Sequence, residues 1–310
     1  TFLALEAIGG SITLDYGFQN ALVAILIVCA IIFLLSIPIS YYSSRYGLDI
    51  DLLTRGAGFG YLGSTITSLI YASFTFIFLA LEATIMALAL ELCLGLPLHW
   101  GYLVSTLLVI PIVTYGISTI SRFQLWTQPI WMLLQLLPIA LILIYDFSAV
   151  ENWVLYQSPN IEANDGINWL MVGAASTLLF SLVAQIGEQA DYARFIPAQK
   201  NTSKLSWWLS TMSAGPGWIV IGCFKLLLGS FLFVLAVNHG VDMHEAIEPT
   251  QMYLVAFNYL TETPSTILTL TALFVVLSQL KINATNVYAG SIAWSNFFSR
   301  LTHAHPGRVV

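Results

Sequence analysis

Charge is what this chain has least of. Asp, Glu, Lys and Arg together supply 8% of the 310 residues, against roughly a quarter in a soluble domain. Lys and Arg number only 10 and form no cluster, which excludes the basic footprint that nucleic-acid binding requires. Cysteine is scarce as well: Cys29, Cys93 and Cys223 all lie in or beside apolar segments. An odd number of thiols so placed argues against a disulfide framework or a zinc site and reads as small core residues. There is no HExxH pattern, and no buried His accompanies a Ser or Asp in the way hydrolysis needs. Nothing here calls for an enzyme, a metal or a cofactor. Low-complexity tracts, a soluble domain and a cleavable signal peptide are also missing. Thr1 opens directly into apolar sequence with no initiator Met, so the chain reads as cut at its start.

Apolar residues fill the space. They make up 58% of the chain, and mean hydropathy is +0.82. The few charges are sorted. Eight of the ten Lys and Arg residues fall in alternate hydrophilic gaps: Arg45 and Arg55; Arg122; Arg194, Lys200 and Lys204; Arg300 and Arg308. The remaining gaps hold Asp146, Glu151, Glu162 and Asp165, then Asp242, Glu245, Glu248 and Glu262, with no Lys or Arg. Basic residues near span ends stay cytoplasmic, so the first set lies inside and the second outside. This pattern predicts a multi-pass protein of a bacterial inner membrane, with the lipid bilayer as its first partner.

A span needs roughly 20 mostly apolar residues. Eight segments qualify: 1–14, short and resembling the outer half of a truncated helix; 21–42; 65–94; 101–120; 126–145; 169–187; 207–237, interrupted by Gly215-Pro216-Gly217; and 265–294, interrupted by Lys281, Asn283 and Asn286. Residues 146–168 form a polar outer loop whose Trp153 and Tyr156 suit the interface. In the outer segment 239–263, Tyr253, Leu254, Phe257 and Leu260 fall at helical spacing, predicting a short helix over 245–260 that lies flat over the outer mouth. His305 to Val310 reads as the basic approach to a further span. Residues 1–310 thus form a single transmembrane domain, truncated at both ends.

Two segments carry signs of a break. Gly9-Gly10 lies inside the first, and Gly187 interrupts the sixth within Gln185-Ile186-Gly187-Glu188-Gln189. Glycines in matching places of two halves point to unwound helices around a transporter's site. The other reading is that they permit close packing; the matched spacing favours breaks.

Charges inside apolar segments are the other lead. Glu6, Glu82, Lys225 and Lys281 are two acids and two bases, enough for two pairs. They read either as fixed pairs that set helix register or as a relay or substrate contact. Lys225 also has a stem long enough to reach an interface. Gln279, Asn283 and Asn286 form one helical stripe beside Ser278, Lys281 and Thr285. Phe78 and Glu82 share a face four residues apart on the third segment. Aromatic faces and amides suit a planar heterocycle, although Phe78 beside Phe74 and Phe76 also reads as packing.

Four passages resemble the nucleobase–cation symporters, the family of purine, cytosine and hydantoin permeases. They are Arg45-Tyr46-Gly47-Leu48 through Arg55 to Gly58-Phe59-Gly60; Phe78-Leu79-Ala80-Leu81-Glu82; Asp191-Tyr192-Ala193-Arg194-Phe195; and Asn286-Val287-Tyr288-Ala289-Gly290-Ser291. Their order and spacing cover nearly the whole chain. The resemblance implies an all-α, five-plus-five inverted-repeat transporter bundle of which about eight spans are present. It implies alternating access around a midplane site, a substrate held by the third, sixth and eighth spans, and a sodium site between the first and eighth. Carried onto this sequence, the substrate residues are Phe78, Glu82, Phe180, Gln185, Asn283 and Asn286. The departures are informative. Phe78 stands where the family has a stacking Trp, Leu182 with Phe180 nearby stands for another, and Glu82 replaces a Gln. Lys281 falls near the sodium site's hydroxyl ligands, where an ammonium would stand in for the cation.

The expected function is therefore transport of a small, planar, nitrogen-rich solute without sodium coupling. The rival expectation follows from bundles of this type fused to histidine-kinase modules: a ligand-sensing input domain, with C-terminal signalling domains as partners.

Overall fold

In a computed structural model of the chain, residues 2–159, 166–199 and 203–302 are described. Thr1, Glu162, Asp165, Lys200, Arg308 and the 305–310 segment lie outside the described residues.

Among those residues the chain is helical, without strands. The α-helices are α1 (Leu3–Tyr46), α2 (Ile50–Thr54), α3 (Gly60–Leu94), α4 (Leu98–Thr114), α5 (Ile117–Tyr145), α6 (Ser148–Val154), α7 (Trp169–Phe180), α8 (Glu188–Ala193), α9 (Lys204–Ala214), α10 (Gly217–Asn238), α11 (Pro249–Asn258) and α12 (Pro264–Thr302). A π-helical turn, Arg55–Phe59, leads into α3, and a 3-10 stretch, Ser181–Gly187, joins α7 to α8. Six helical segments are long and apolar enough to cross a membrane, and α4 is a shorter apolar helix. The 44-residue α1 is two helices joined at Gly17. With that division and α4 counted, the eight segments of the sequence are all present, in an integral multi-pass membrane protein.

The first break does not fall where the sequence suggested. Gly9 and Gly10 stay helical, and the chain departs from helical geometry at Gly17, with φ 72° and ψ 167°. That left-handed φ favours glycine. The outer loop holds the break: the Phe18 N–H donates to the Tyr156 carbonyl at 3.1 Å. Gly9 serves packing instead. A Cβ there would overlap the Leu226 carbonyl on α10, and one on Gly229 would overlap the backbone of Glu6. Lipid tails are as apolar as Leu, so helices in a bilayer are joined by this kind of close approach. Around Gly187 the sixth span is wound tighter, as 3-10 helix, and Gly187 itself keeps helical angles, φ −64° and ψ −38°. The seventh span breaks where expected, between α9 and α10 at Gly215-Pro216.

The chain forms two compact units. The first comprises residues 1–26, 80–179 and 224–285 and the second 27–79, 180–223 and 286–310. In the first, Leu3, Ile85, Ala89, Leu232, Phe233 and Phe274 belong to one buried core. The helix α11 belongs to it too. Met252, Tyr253, Ala256 and Phe257 make its wholly buried face, and from that face the Tyr253 hydroxyl donates to Glu6 at 2.9 Å. The second unit has its own core around Tyr71, Ala72, Ala289 and Ala293. Small residues bring α12 onto α3 there; a Cβ on Gly290 would lie 2.6 Å from the Thr75 hydroxyl.

Candidate functional site

The two acids and two bases of the apolar segments do not form two pairs. Lys225 on α10 pairs with Glu6 on α1, both buried. Its ammonium also donates to Gln135 Oε1 on α5 at 2.9 Å and lies 5.6 Å from the Trp131 ring centroid. Tyr253 closes the group from α11, donating to Glu6 and accepting from Gln135 Nε2. Four helices meet in this cluster, and Lys225 reaches no interface. Sequence reasoning missed Gln135, Trp131 and Tyr253. A lone amide inside an apolar span was the available signal for Gln135, whereas Tyr253 was counted as apolar.

Lys281 has no acid. Its Nζ donates to the Gln124 carbonyl and to Thr127 Oγ1, each at 3.0 Å, and Gln124 Nε2 donates back to the Lys281 carbonyl at 2.8 Å. All these partners lie on α5. The ammonium therefore ties α12 to α5, not to α1, the first span with which the sequence had associated it.

Among the described residues Glu82 forms no ion pair. It is wholly buried, and neither carboxylate oxygen has a hydrogen-bond partner among the described residues. The Gln279 side chain and the Ala4 backbone approach it without closing a hydrogen bond. Gln279 and Asn283, one turn apart on α12, are wholly buried, and each has both amide atoms unpaired. A buried polar group left unsatisfied costs roughly 1–3 kcal/mol. One carboxylate and two amides in that condition form a set of acceptors and donors held ready for something else to meet.

The remaining expected residues lie in the second unit. Phe78 is buried with its ring 4.7 Å from that of Phe74. Phe180 ends α7 and is half-buried. Gln185 is buried with Oε1 unpaired, and Asn286 is buried with Nδ2 unpaired. The inner end of this unit is fastened by charge: Arg300 near the end of α12 pairs with Asp51 on α2, which also accepts from Ser68 at 3.1 Å. Among the described residues no group of three or more His, Cys, Asp or Glu is placed to hold a metal ion.

No protein-family model matches the sequence, and no curated protein is significantly similar to it. The fold does have a solved counterpart. The chain is similar to the structure of Mhp1, a nucleobase-cation-symport-1 family transporter, in a closed conformation with bromovinylhydantoin bound. The TM-score is 0.65 at 16% sequence identity, over 96% of this chain and 64% of that one. This chain thus spans less than two thirds of that protein's length. At this identity the likeness establishes architecture: the chain has the inverted-repeat fold of a nucleobase–cation symporter.

Proposed function

We propose that this chain is a secondary-transporter domain for a small, planar, nitrogen-rich solute, working by alternating access and without sodium. The observation that carries the reading is the unpaired set Glu82, Gln279 and Asn283. A carboxylate accepts only, whereas each amide both donates and accepts. A ring edge with adjacent N–H and C=O groups, as in a hydantoin or a nucleobase, matches such a set. A carboxylate in place of a neutral amide further favours solutes rich in N–H donors or carrying positive charge. Solute sites in proteins of this kind lie near the bilayer midplane among interrupted helices. By the family resemblance alone we also assign Phe78, Phe180, Gln185 and Asn286, of the second unit, to solute binding. Lys281 places an ammonium beside the Gln124 carbonyl and Thr127 hydroxyl, the kind of oxygen pair a sodium ion would take. We place the domain in a bacterial inner membrane, with its basic loops on the cytoplasmic side.

The test is equilibrium binding of a panel of hydantoins, purines and pyrimidines to the purified protein, in sodium and in choline buffer. The reading requires one ring class to bind with equal affinity in both. Absence of binding by every ring in the panel, or binding that needs sodium, rejects it.

A further inference from the structure

The second unit buries acids that the solute reading does not use. Glu188 and Asp191 stand three residues apart on α8, hence on one helical face. Asp191 is wholly buried, and neither of its carboxylate oxygens has a hydrogen-bond partner among the described residues. From α3 the Tyr71 hydroxyl, also buried and unpaired, faces it. Gln185, one turn before Glu188, is buried with its amide oxygen unpaired. Glu188 is half-buried and accepts from the Tyr192 hydroxyl at 2.9 Å.

Among the described residues no base forms an ion pair with Asp191 or Glu188. Arg194 is the nearest, and its guanidinium is held by Asp49 at 3.5 Å and lies over the Phe195 ring. The titratable and charged groups around Asp191 are therefore Glu188, Tyr192 and Arg194 on or beside its own helix, Asp49 ahead of α2, Tyr71 on α3, and Tyr288 on α12 beyond Tyr192. With all acids ionised, three negative charges face one positive charge in a dry site. Burial opposes the charged form of a carboxyl, and a neighbouring carboxylate opposes it further. Intramembrane acids in this situation mark proton paths.

The atoms left over differ from those around Glu82. There, unpaired donors and acceptors alternate, as a ring edge requires. Here, the unpaired atoms are two carboxylate oxygens, an amide oxygen and the Tyr71 hydroxyl, with the Arg194 Nε as one unpaired donor beside them. Acceptors outnumber donors.

We propose that Asp191, with Glu188, Gln185 and Tyr71, is a proton-binding site of the second unit, loaded and emptied from the cytoplasmic side. In the loaded state Asp191 is a neutral carboxylic acid whose O–H finds an acceptor among these oxygens. In the emptied state the carboxylate takes the Tyr71 hydroxyl hydrogen. The basic flanks of α8 and α9 place this end of the sixth span inside, which sets the side of exchange. Gln185 is shared with the solute contacts assigned above, whereas Asp191, Glu188 and Tyr71 are not, and the test uses no solute, so the two readings fail separately.

Infrared difference spectroscopy on the purified full chain in nanodiscs, without any solute, tests it. The protein should show a carboxylic-acid C=O band that titrates away as pH rises and shifts in D2O. Asp191→Asn should remove that band, and Glu151→Gln in the outer loop should not. Tyr71→Phe removes the hydroxyl that stabilises the carboxylate, so the band should persist to higher pH by on the order of one unit. Tyr71→Phe also covers the case in which Asp191→Asn does not fold. The proposal is overturned if Tyr71→Phe leaves the midpoint where it was, or if Asp191→Asn leaves the spectrum unchanged. It is equally overturned if sodium, potassium or calcium abolishes the band at constant pH, which would make this a site for a metal cation.

Discussion

Glu6 and Lys225, 219 residues apart in sequence, form a buried ion pair that Gln135 and Tyr253 complete. Removing one member of such a pair strands the other charge and costs about 3–5 kcal/mol, whereas replacing both by apolar or neutral groups is often close to neutral. Lys225→Met should therefore destabilise the protein by about that amount, and Glu6→Gln with Lys225→Met should recover most of it. Thermal unfolding in detergent measures both. Additive losses in the double variant would show that the two side chains do not act as a unit.

Glu82→Gln should leave folding intact or improve it, because a buried carboxylate outside any ion pair becomes a neutral amide. Its effect should fall on ligand choice. Rings whose recognised edge is rich in N–H donors should lose affinity by about tenfold or more, as expected when one charge-assisted hydrogen bond is weakened. Competition binding across the panel reads this; a uniform change for all rings would place Glu82 outside the solute site.

Lys281→Thr should lose stability in choline and regain it in sodium. The substitution leaves a hydroxyl beside the Gln124 carbonyl and Thr127 hydroxyl, three oxygens where the ammonium was. A Tm of this variant that ignores sodium would reduce Lys281 to a strut between α5 and α12.

Sidedness can be read with thiol reagents once Cys29, Cys93 and Cys223 are replaced. Both Glu151 and Lys204 are exposed. In intact cells an impermeant maleimide should label Glu151→Cys and spare Lys204→Cys. Labelling of the second alone would invert the topology.

The outer surface should show a specific response to acid. The Ser148 and Tyr259 hydroxyls hold the Asp146 carboxyl below the usual carboxylate range, with the Tyr259 donation at 2.7 Å. A carboxyl depressed in the folded state stabilises above its unfolded pKa, and the effect disappears as pH falls through the folded one. Tyr259→Phe should therefore lower stability near neutrality and flatten its decline below roughly pH 4. Parallel stability profiles for the two proteins would remove Asp146 from the account.

Span positions were readable because apolar runs and the sorting of eight basic residues are properties of the sequence itself. The fate of Gly9 was not, because a glycine's role depends on what faces it; Leu226 and the backbone of Glu6 decide for packing. Helical spacing of the apolar residues over 245–260 marked a face without telling whether water, lipid or protein covers it; protein does, and the Tyr253 hydroxyl reaches Glu6 from it. The pairing of charges was likewise open from sequence, since Glu6 or Glu82 could equally have met Lys225 or Lys281. Glu82 was visible as a buried charge, but the unpaired amides of Gln279 and Asn283 that give it meaning appear only once α3 and α12 are placed.

The contact at Gly9 and Gly229 also governs mechanics. Two helices that touch through their backbones, with a salt bridge beside the contact, have no side chains between them to slide or repack. A one-residue shift of α1 along α10 in the direction that brings Ile8 to the place of Gly9 would drive a side chain into a space that admits only hydrogen, so that direction is closed. The segment of α1 before Gly17 and the adjoining part of α10 must then move as a welded beam or not at all, and Gly17, the one residue of α1 already free of helical geometry, is the joint about which such a beam can turn.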